Sequence, residues 1–173
     1  MRLSAWLHQQ LPRVWTSRGL FAWLLWPISW VHAAALAARG LVWRMGWRQA
    51  HRLPVPVIVV GNVVAGGAGK TPLTMALVQH LQQRGWHVGV ISRGHGRQTR
   101  DTRAVMPDSL PVDVGDEPLL IRQKTGAPVW VAAARAEAGR ALLQAHPEVN
   151  LLVCDDGLQH WALARDLEIC VMD

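Results

Sequence analysis

Acidic side chains are absent from the first 100 residues of this 173-residue chain, which hold 12 arginine or lysine residues. All 12 Asp and Glu residues lie in residues 101–173, beside only six basic ones. Residues 1–100 therefore carry a formal charge of +12 and residues 101–173 a formal charge of −6, giving the net charge of +6. This asymmetry predicts an anionic partner for the basic segment, either nucleic acid or anionic lipid.

Cysteine is also scarce, and its spacing argues against a disulfide framework or a cysteine-based metal site. The two cysteines, Cys154 and Cys170, belong to no Cys-x-x-Cys pair and stand in apolar runs. We therefore expect two buried thiols in a reducing compartment.

Tryptophan is abundant by contrast, and seven of the ten tryptophans stand in the first 47 residues. Indole rings favour the membrane–water interface, where the ring is buried and its N–H stays hydrated. Together with arginine on an apolar segment they favour lipid contact over nucleic-acid contact, with a soluble helical hairpin as the alternative. Residues 1–52 are therefore predicted to be a membrane-association segment that contacts the membrane surface and its anionic lipids.

An uncharged stretch, residues 19–38, lies between Arg18 and Arg39. Twenty helical residues reach about 30 Å, just enough to cross a bilayer core. Pro27 is expected to interrupt this helix midway. Insertion from one side, with arginine side chains reaching lipid phosphates, is therefore favoured over a full crossing. Secretory export is disfavoured because a phosphate-binding motif follows within 30 residues, and nucleoside triphosphates are cytoplasmic.

From residue 53 onward, short apolar runs alternate with helical patterns. The predicted strands cover 55–60, 87–91, 128–132, 151–154 and 167–172, and the predicted helices cover 71–84, 116–124 and 135–145. The first of these helices is expected to turn one face inward, made by Leu73, Ala76, Leu77, His80 and Leu81. The alternation predicts a doubly wound, mostly parallel α/β sheet with helices on both faces.

A glycine-rich segment, residues 64–71, follows the first predicted strand and opens the first predicted helix, which is the context of a phosphate-binding loop. Its backbone N–H groups and the helix N-terminus would face the phosphates of ATP. Lys70, one of only two lysines, would reach the β- and γ-phosphates, and Thr71 would hold Mg²⁺. The predicted ATP-binding residues are Val64, Ala65, Gly66, Gly67, Ala68, Gly69, Lys70 and Thr71. Residues 53–173 are thus predicted to form a P-loop NTPase-like domain, preceded by an N-terminal membrane-associated helix.

An acid pair, Asp155 and Asp156, ends the fourth predicted strand. Carboxylates at such a strand end hold Mg²⁺ beside a phosphate-binding loop, so we predict that Asp155, Asp156 and Thr71 hold this ion. Gln159 and His160 follow closely and are candidates to bind substrate or metal-bound water.

Two further turns are expected at the carboxyl edge of the sheet. Ser92–Arg97 follows the second strand, and its Arg93 and Gly94 are predicted to bind an anionic substrate group. Gly115–Pro118 opens a short helix, where Asp116 is either the N-cap or a general base toward an acceptor hydroxyl. The sequence pattern alone favours the cap.

Five motifs in order resemble the tetraacyldisaccharide 4′-kinase family, and the resemblance covers essentially the whole chain. They are Val60–Asn62, Gly66–Pro72, Ser92–Arg97, Gly115–Pro118 and Asp155–His160. The resemblance implies an enzyme on the cytoplasmic face of the inner membrane of Gram-negative bacteria. It implies phosphorylation of the 4′-hydroxyl of a tetraacyldisaccharide 1-phosphate, a lipid A precursor, with ATP and Mg²⁺ to give lipid IVA.

The resemblance also assigns roles to residues. It implies that Asp116 is the catalytic base rather than a cap, and that Lys70 is the catalytic lysine of the phosphate loop. The metal and acceptor-site residues would be Asp155, Asp156, Gln159 and His160.

Two features depart from the family. His95 stands where a tyrosine is common, and the chain ends at Asp173, about halfway along the family's length. We therefore expect a truncated chain that lacks a second lobe, which in the family supplies a histidine that pairs with the base.

Two alternatives to a lipid kinase stay open. The glycine-rich segment is also similar to that of membrane-associated partitioning ATPases, which are nucleotide switches without a small-molecule acceptor, although Ala65 replaces their second lysine. The other alternative is a nucleotide-binding fragment that is catalytically incomplete. Nucleic acid is not an expected partner.

Overall fold

A computed structural model describes residues 20–47, 49–62 and 69–172, without the side chains of residues 20–25 and 44. The chain divides into two compact units, Met1–Gln49 and Ala50–Asp173. Each unit is described by itself.

In the first unit, helix α1 covers Leu20–Arg44 and runs through Pro27 without a break. The expected interruption at Pro27 is therefore wrong. The missing N–H of Pro27 removes a single i→i−4 hydrogen bond, and the helix continues on both sides of it. The rings of Trp26 and Trp30, one turn apart, meet edge to face with centroids 6.2 Å apart. Within the described ranges, no helix is both long and apolar enough to span a membrane.

The second unit alternates strands and helices, as predicted. Its strands are β1 (Val57–Asn62), β2 (Val88–Ser92), β3 (Arg103–Val105), β4 (Val129–Val131), β5 (Leu151–Asp155) and β6 (Leu167–Val171). Its helices are α2 (Lys70–Gln83), α3 (Pro111–Val114), α4 (Asp116–Thr125) and α5 (Arg135–Ala145). All five predicted strands and three predicted helices are present, displaced by at most two residues at either end. The short elements β3 and α3 were not predicted.

The strands form one six-stranded sheet over the described residues, in the order β3-β4-β2-β5-β1-β6. β3 pairs antiparallel with β4, and the other four pairings are parallel. The predicted mostly parallel α/β sheet is therefore confirmed. Because β5 lies directly beside β1, the carboxyl ends of these two strands meet at one edge of the sheet.

The sheet is buried on both faces, because successive side chains of its central strands point to opposite sides. One face packs against α2 and α4, and its core includes Val60, Val90, Val153, Val78 and Ile121. The other packs against α5, and its core includes Val59, Ile91, Leu152, Ala138 and Leu142. Full burial of each of the valine, leucine and isoleucine side chains stabilises the fold by about 1.5–3 kcal/mol.

Helix α2 presents a face to the sheet that overlaps only partly with the one expected. Thr74 and Val78 are fully buried, whereas Leu73 is 38% exposed and His80 is exposed. The expected face is therefore wrong at its exposed members, whereas Leu77 and Leu81 pack against the core as predicted. The helix is rotated so that its first inward-facing residue is a polar one, Thr74, whose partner lies on β5.

The two thiols differ. Cys154 on β5 is buried, and burial raises its pKa to about 12, as expected of an inert thiol. Cys170 is exposed, so the expectation of a second buried thiol is wrong. β6 is an edge strand in the described sheet, which leaves some of its surface uncovered.

Candidate functional site

The glycine-rich segment joins β1 to α2. Its residues Val64, Ala65, Gly66, Gly67 and Ala68 lie outside the described residues, so their predicted contacts with ATP stay predictions. Gly69 has φ +69°, a left-handed conformation that glycine adopts without strain, and Lys70 begins the helix directly after it. The N–H groups and the positive dipole end of α2 therefore face the carboxyl edge of the sheet.

Lys70 connects the end of β1 to the acid pair. Its Nζ donates a hydrogen bond of 2.7 Å to Oδ1 of Asn62 and lies 3.4 Å from Oδ1 of Asp156. The Asp156 carboxylate is more than half exposed, so the ion pair itself adds at most about 1 kcal/mol to stability. The contact instead shows that the lysine ammonium and the acid pair share one site.

Asp155 is the buried member of the acid pair, with only 1% of its surface exposed. Its Oδ1 accepts a 3.1 Å hydrogen bond from Oγ1 of Thr74, and no hydrogen-bond partner for its buried Oδ2 is found among the described residues. Burial, reinforced by the negative charges of Glu117 and Asp156, raises the pKa of Asp155 to about 6, although Thr74 and Lys70 act against the shift. An unpartnered buried carboxylate oxygen is costly, and a bound cation would satisfy it.

Asp156 stands at a sharp turn. With φ +55°, it is the single non-glycine residue with positive φ in the described ranges. Gly157 follows, and a Cβ there would lie 2.6 Å from Sγ of Cys154 and 2.9 Å from Cγ1 of Val59. The chain therefore folds tightly back over the ends of β5 and β1, and only glycine fits at position 157.

The predicted acceptor residues of this turn lie next to the acid pair. Gln159 is exposed and His160 is half-buried, and the His160 backbone N–H donates to the Gly157 carbonyl at 2.9 Å. The structure thus places both residues at the carboxyl edge where Lys70 and the acids meet.

Asp116 is the first residue of α4 and does not cap the helix. The N-cap is Gly115, at φ +92° and ψ 151°, a conformation restricted to glycine, and no side chain caps the helix. The capping role that the sequence pattern favoured is therefore wrong. The Asp116 carboxylate is exposed and does not cap the helix in the part of the chain that the structure describes. The negative charge of Glu117, the next residue, contributes to the raised pKa of Asp155.

The Ser92–Arg97 turn packs on the start of α4. A Cβ at Gly94 would lie 2.6 Å from the Val114 carbonyl oxygen, and one at Gly115 would lie 2.9 Å from that of His95. Arg93 is exposed, and burial lowers the pKa of Arg97, despite the opposing effect of Asp101. The turn predicted to bind substrate and the turn that carries Asp116 therefore form one continuous surface.

Several residues of this site had no predicted role. Thr74 and Asn62 bind the carboxylate and the ammonium described above. Arg135 is 5% exposed, and its Nη2 donates to the Asp156 carbonyl at 3.0 Å. Arg165 contacts the same turn through the carbonyls of Gly157, Leu158 and His160. In the sequence, the two arginines stand out only as charged residues beside apolar ones. This pattern does not reveal that Arg135 binds a backbone carbonyl 21 residues away.

The Mg²⁺ implied by the family resemblance fits these residues. No cluster of three or more His, Cys, Asp or Glu side chains able to hold a metal occurs within the described ranges. Mg²⁺ does not need one, because it is usually held by one or two carboxylates together with phosphate oxygens and water. Asp155, with its unpartnered Oδ2, and Asp156 would supply the carboxylates, and Thr71 stands in the first turn of α2.

Fold and site together define a mostly parallel α/β protein with a lysine–aspartate centre at the carboxyl edge of its sheet. A model of the family described as tetraacyldisaccharide-1-P 4′-kinase, LpxK, matches residues 21–173. The chain belongs to this family.

Curated relatives carry the same name. The tetraacyldisaccharide 4′-kinase of Acidovorax sp. (strain JS42) is 60% identical over 167 residues, which cover 96% of this chain and 49% of that protein. That of Dechloromonas aromatica (strain RCB) is 51% identical over 174 residues, covering 99% of this chain and 50% of that protein. The chain thus spans about half the length of the curated relatives that it matches.

A solved structure agrees with the fold. The crystal structure of LpxK from Aquifex aeolicus, described as an "apo" form in complex with ATP, matches this chain with a TM-score of 0.78 at 31% sequence identity. The match covers 87% of this chain and 49% of that one.

Proposed function

We propose that this chain is the nucleotide-binding half of a tetraacyldisaccharide 4′-kinase. The reaction moves the γ-phosphoryl group of ATP to the 4′-hydroxyl of a tetraacyldisaccharide 1-phosphate, giving lipid IVA and ADP. The observation that carries this proposal is the 3.4 Å approach of Lys70 Nζ, at the start of the helix that follows the glycine-rich segment, to Asp156 at the end of β5. Family membership supplies the lipid acceptor.

The nucleotide would bind over the N-terminus of α2. Lys70 would exchange its contacts with Asn62 and Asp156 for the β- and γ-phosphate oxygens. The N–H groups of the glycine-rich segment are predicted to donate to the same oxygens. The ammonium and the helix N-terminus are already at this edge, so little reorganisation is needed when charge develops on the transferred group.

Thr71, Asp155 and Asp156 would hold Mg²⁺. When bound, the ion neutralises charge on the β- and γ-phosphoryl oxygens. The unpartnered Oδ2 of Asp155 supports this assignment.

The acceptor would lie between α4 and the turn that follows β5. Asp116, exposed at the start of α4, takes the proton of the 4′-hydroxyl. The hydroxyl oxygen then bonds to the γ-phosphorus, and the bond to the β-phosphate oxygen breaks. Arg93, Gly94, Gln159 and His160 are proposed to bind the acceptor, since they follow strands that end at the same edge of the sheet.

We further propose that the enzyme works at the cytoplasmic face of the inner membrane, with α1 in contact with the membrane surface and its anionic lipids. Trp26 and Trp30 are 56% and 65% exposed on α1, and no acidic residue precedes Asp101. Exposed indole rings on a basic segment suit an interfacial position.

The test follows γ-labelled ATP in the gene product that contains this chain. Label in the lipid supports the proposal, hydrolysis alone indicates a nucleotide switch, and neither indicates an incomplete fragment. Lys70→Met should lower transfer by roughly 100- to 1,000-fold, as loss of a preorganised charge donor does. Lys124→Met is the matched control, because Lys124 is the other lysine and is exposed in the last turn of α4. Normal transfer by Lys70→Met would refute the site.

A further inference from the structure

Residues 156–160 form the turn that carries Asp156, Gln159 and His160, and we refer to it as the acid turn. We propose that Arg165 is a positioning residue that fixes the acid turn and so aligns Gln159 and His160 with the acceptor. This inference rests on the proposed kinase function and deepens it.

The guanidinium of Arg165 donates hydrogen bonds to backbone carbonyls of the acid turn and of the residues after it. Its Nη2 donates to the His160 carbonyl at 2.7 Å, and its Nε donates to the Leu163 carbonyl at 3.2 Å. Its Nη1 lies 3.1 Å from the Leu158 carbonyl oxygen and 3.4 Å from that of Gly157. A planar cation with five fixed N–H donors suits several carbonyls at once, which a lysine does not.

Arg165 and the residue after it form hydrogen bonds with strands of the sheet. Nη1 also donates to Oε1 of Glu168 on β6 at 2.8 Å. The next residue, Asp166, exchanges hydrogen bonds with Val57 at the start of β1, through its backbone N–H and through its carboxylate Oδ2, each at 2.9 Å. The Arg165 side chain is only 13% exposed, so water competes little for these contacts. The guanidinium therefore ties the acid turn to the rigid strands.

The acid turn needs such support because its backbone is unusual. Asp156 has positive φ, and the side chain of Leu158 covers Gly61 so closely that a Cβ there would lie 2.6 Å from its Cγ. With the carbonyls of Gly157, Leu158 and His160 all directed at one guanidinium, the intervening peptide planes are fixed. The Cα–Cβ bonds of Gln159 and His160, from which their side chains extend, are fixed in direction with them.

A second arginine binds a different carbonyl of the acid turn. Arg135 holds the Asp156 carbonyl from α5 at 3.0 Å, independently of Arg165. Loss of Arg165 therefore leaves Asp156 in place beside Lys70 and releases the later residues of the turn. The consequence should appear in the use of the acceptor rather than in nucleotide binding.

The experiment measures steady-state kinetics of the gene product that contains this chain, with Arg165→Ala and Arg165→Lys. For Arg165→Ala we expect kcat/KM for the lipid to fall roughly 10- to 100-fold, the usual effect of losing an orienting partner, with KM for ATP unchanged. For Arg165→Lys we expect nearly the same fall in kcat/KM for the lipid, because a lysine ammonium cannot bind several carbonyls at once. Guanidinium ion added to Arg165→Ala recovers some of the lost activity, whereas methylammonium does not.

Arg122→Ala is the matched control. Its guanidinium also binds backbone carbonyls, those of Gly126 and Ala127, but these lie between α4 and β4, away from the acid turn. We expect this variant to lose stability and to keep both kinetic parameters.

Hydrogen exchange provides a readout that needs no activity. In Arg165→Ala, amides of residues 157–163 should exchange faster, while those of β1, β5 and α2 keep their protection. Unchanged exchange together with unchanged kcat/KM for the lipid would overturn the role of Arg165. An equal loss of ATP binding without guanidinium rescue would overturn it as well, since it would indicate a general structural role. Failure of the wild type to phosphorylate lipid would instead refute the proposed function, and the exchange experiment would still test the contacts of Arg165.

Discussion

Lys70 and Asp156 are 86 residues apart in the sequence, and their charged groups lie 3.4 Å apart at the carboxyl edge of the sheet. The approach follows from topology: Lys70 begins the helix that follows β1, and Asp156 comes directly after β5, the strand paired with β1. Val60 pairs with Asp155 in this register. Any parallel sheet with these two strands as neighbours brings the helix start and the acid pair together.

Asp155 should make stability depend on pH. Its pKa is raised from 3.8 to about 6, so the folded state binds the proton more tightly than the unfolded state. The contribution of Asp155 to stability is therefore fully present below about pH 4 and is lost as the pH rises through about 6. The expected loss is on the order of 3 kcal/mol.

Denaturant unfolding of wild type and Asp155→Asn in EDTA, between pH 4 and pH 7.5, checks this. The free energy of unfolding of the wild type should fall relative to that of the variant across this range. Addition of Mg²⁺ and ATP should restore the lost free energy of unfolding in the wild type but not in Asp155→Asn. Parallel pH profiles for the two proteins would contradict the assignment of a raised pKa to Asp155.

Thr74→Val should destabilise the fold although it preserves the shape of the side chain. The substitution removes the hydroxyl that donates to Oδ1 of Asp155 and leaves a buried carboxylate without this partner. We expect a loss of about 1–3 kcal/mol at neutral pH, measured by denaturant unfolding. Thr74→Ser keeps the hydroxyl and is the control, so equal stability of the two variants would show that the hydrogen bond has no such role.

Helix α1 should bind anionic membranes through its tryptophans. Trp26→Ser with Trp30→Ser should weaken flotation of the chain with liposomes that contain anionic lipid, because both exposed rings are lost. Trp86→Ser serves as control, since this tryptophan is also exposed, at 42%, but belongs to the second unit. If the double variant floats as well as the wild type, the proposed contact between α1 and the membrane is wrong.

The elements with strong patterns were predictable from the sequence. The runs at 151–154 and 135–145 have apolar periodicity and clear boundaries, and the observed β5 and α5 match them closely. β3 has three residues and α3 has four, too few for a period to appear. Pro27 was expected to break α1, but a single proline removes only one hydrogen bond of the helix, which continues on both sides of it.

The site was predictable where a motif carries the chemistry, and less so where side chains act at long range. Lys70 and the acid pair were identified together, and the structure places them in contact. The inward orientation of Thr74 was not predicted, because hydrophobic periodicity does not identify a polar residue that faces a buried carboxylate. Arg165 was not predicted, because most of its partners are backbone carbonyls, which no sequence pattern identifies.

The most direct test of the central claim uses Mn²⁺ in place of Mg²⁺ and follows its binding to this chain by electron paramagnetic resonance. We expect ATP to strengthen Mn²⁺ binding to the wild type, and ¹⁷O in the γ-phosphate to broaden the signal. Lys70→Met and Asp155→Asn should each abolish the ATP-dependent binding, while Lys124→Met keeps it. Equal ATP-dependent binding of Mn²⁺ in all four proteins would show that the lysine and the acid pair do not form one triphosphate site.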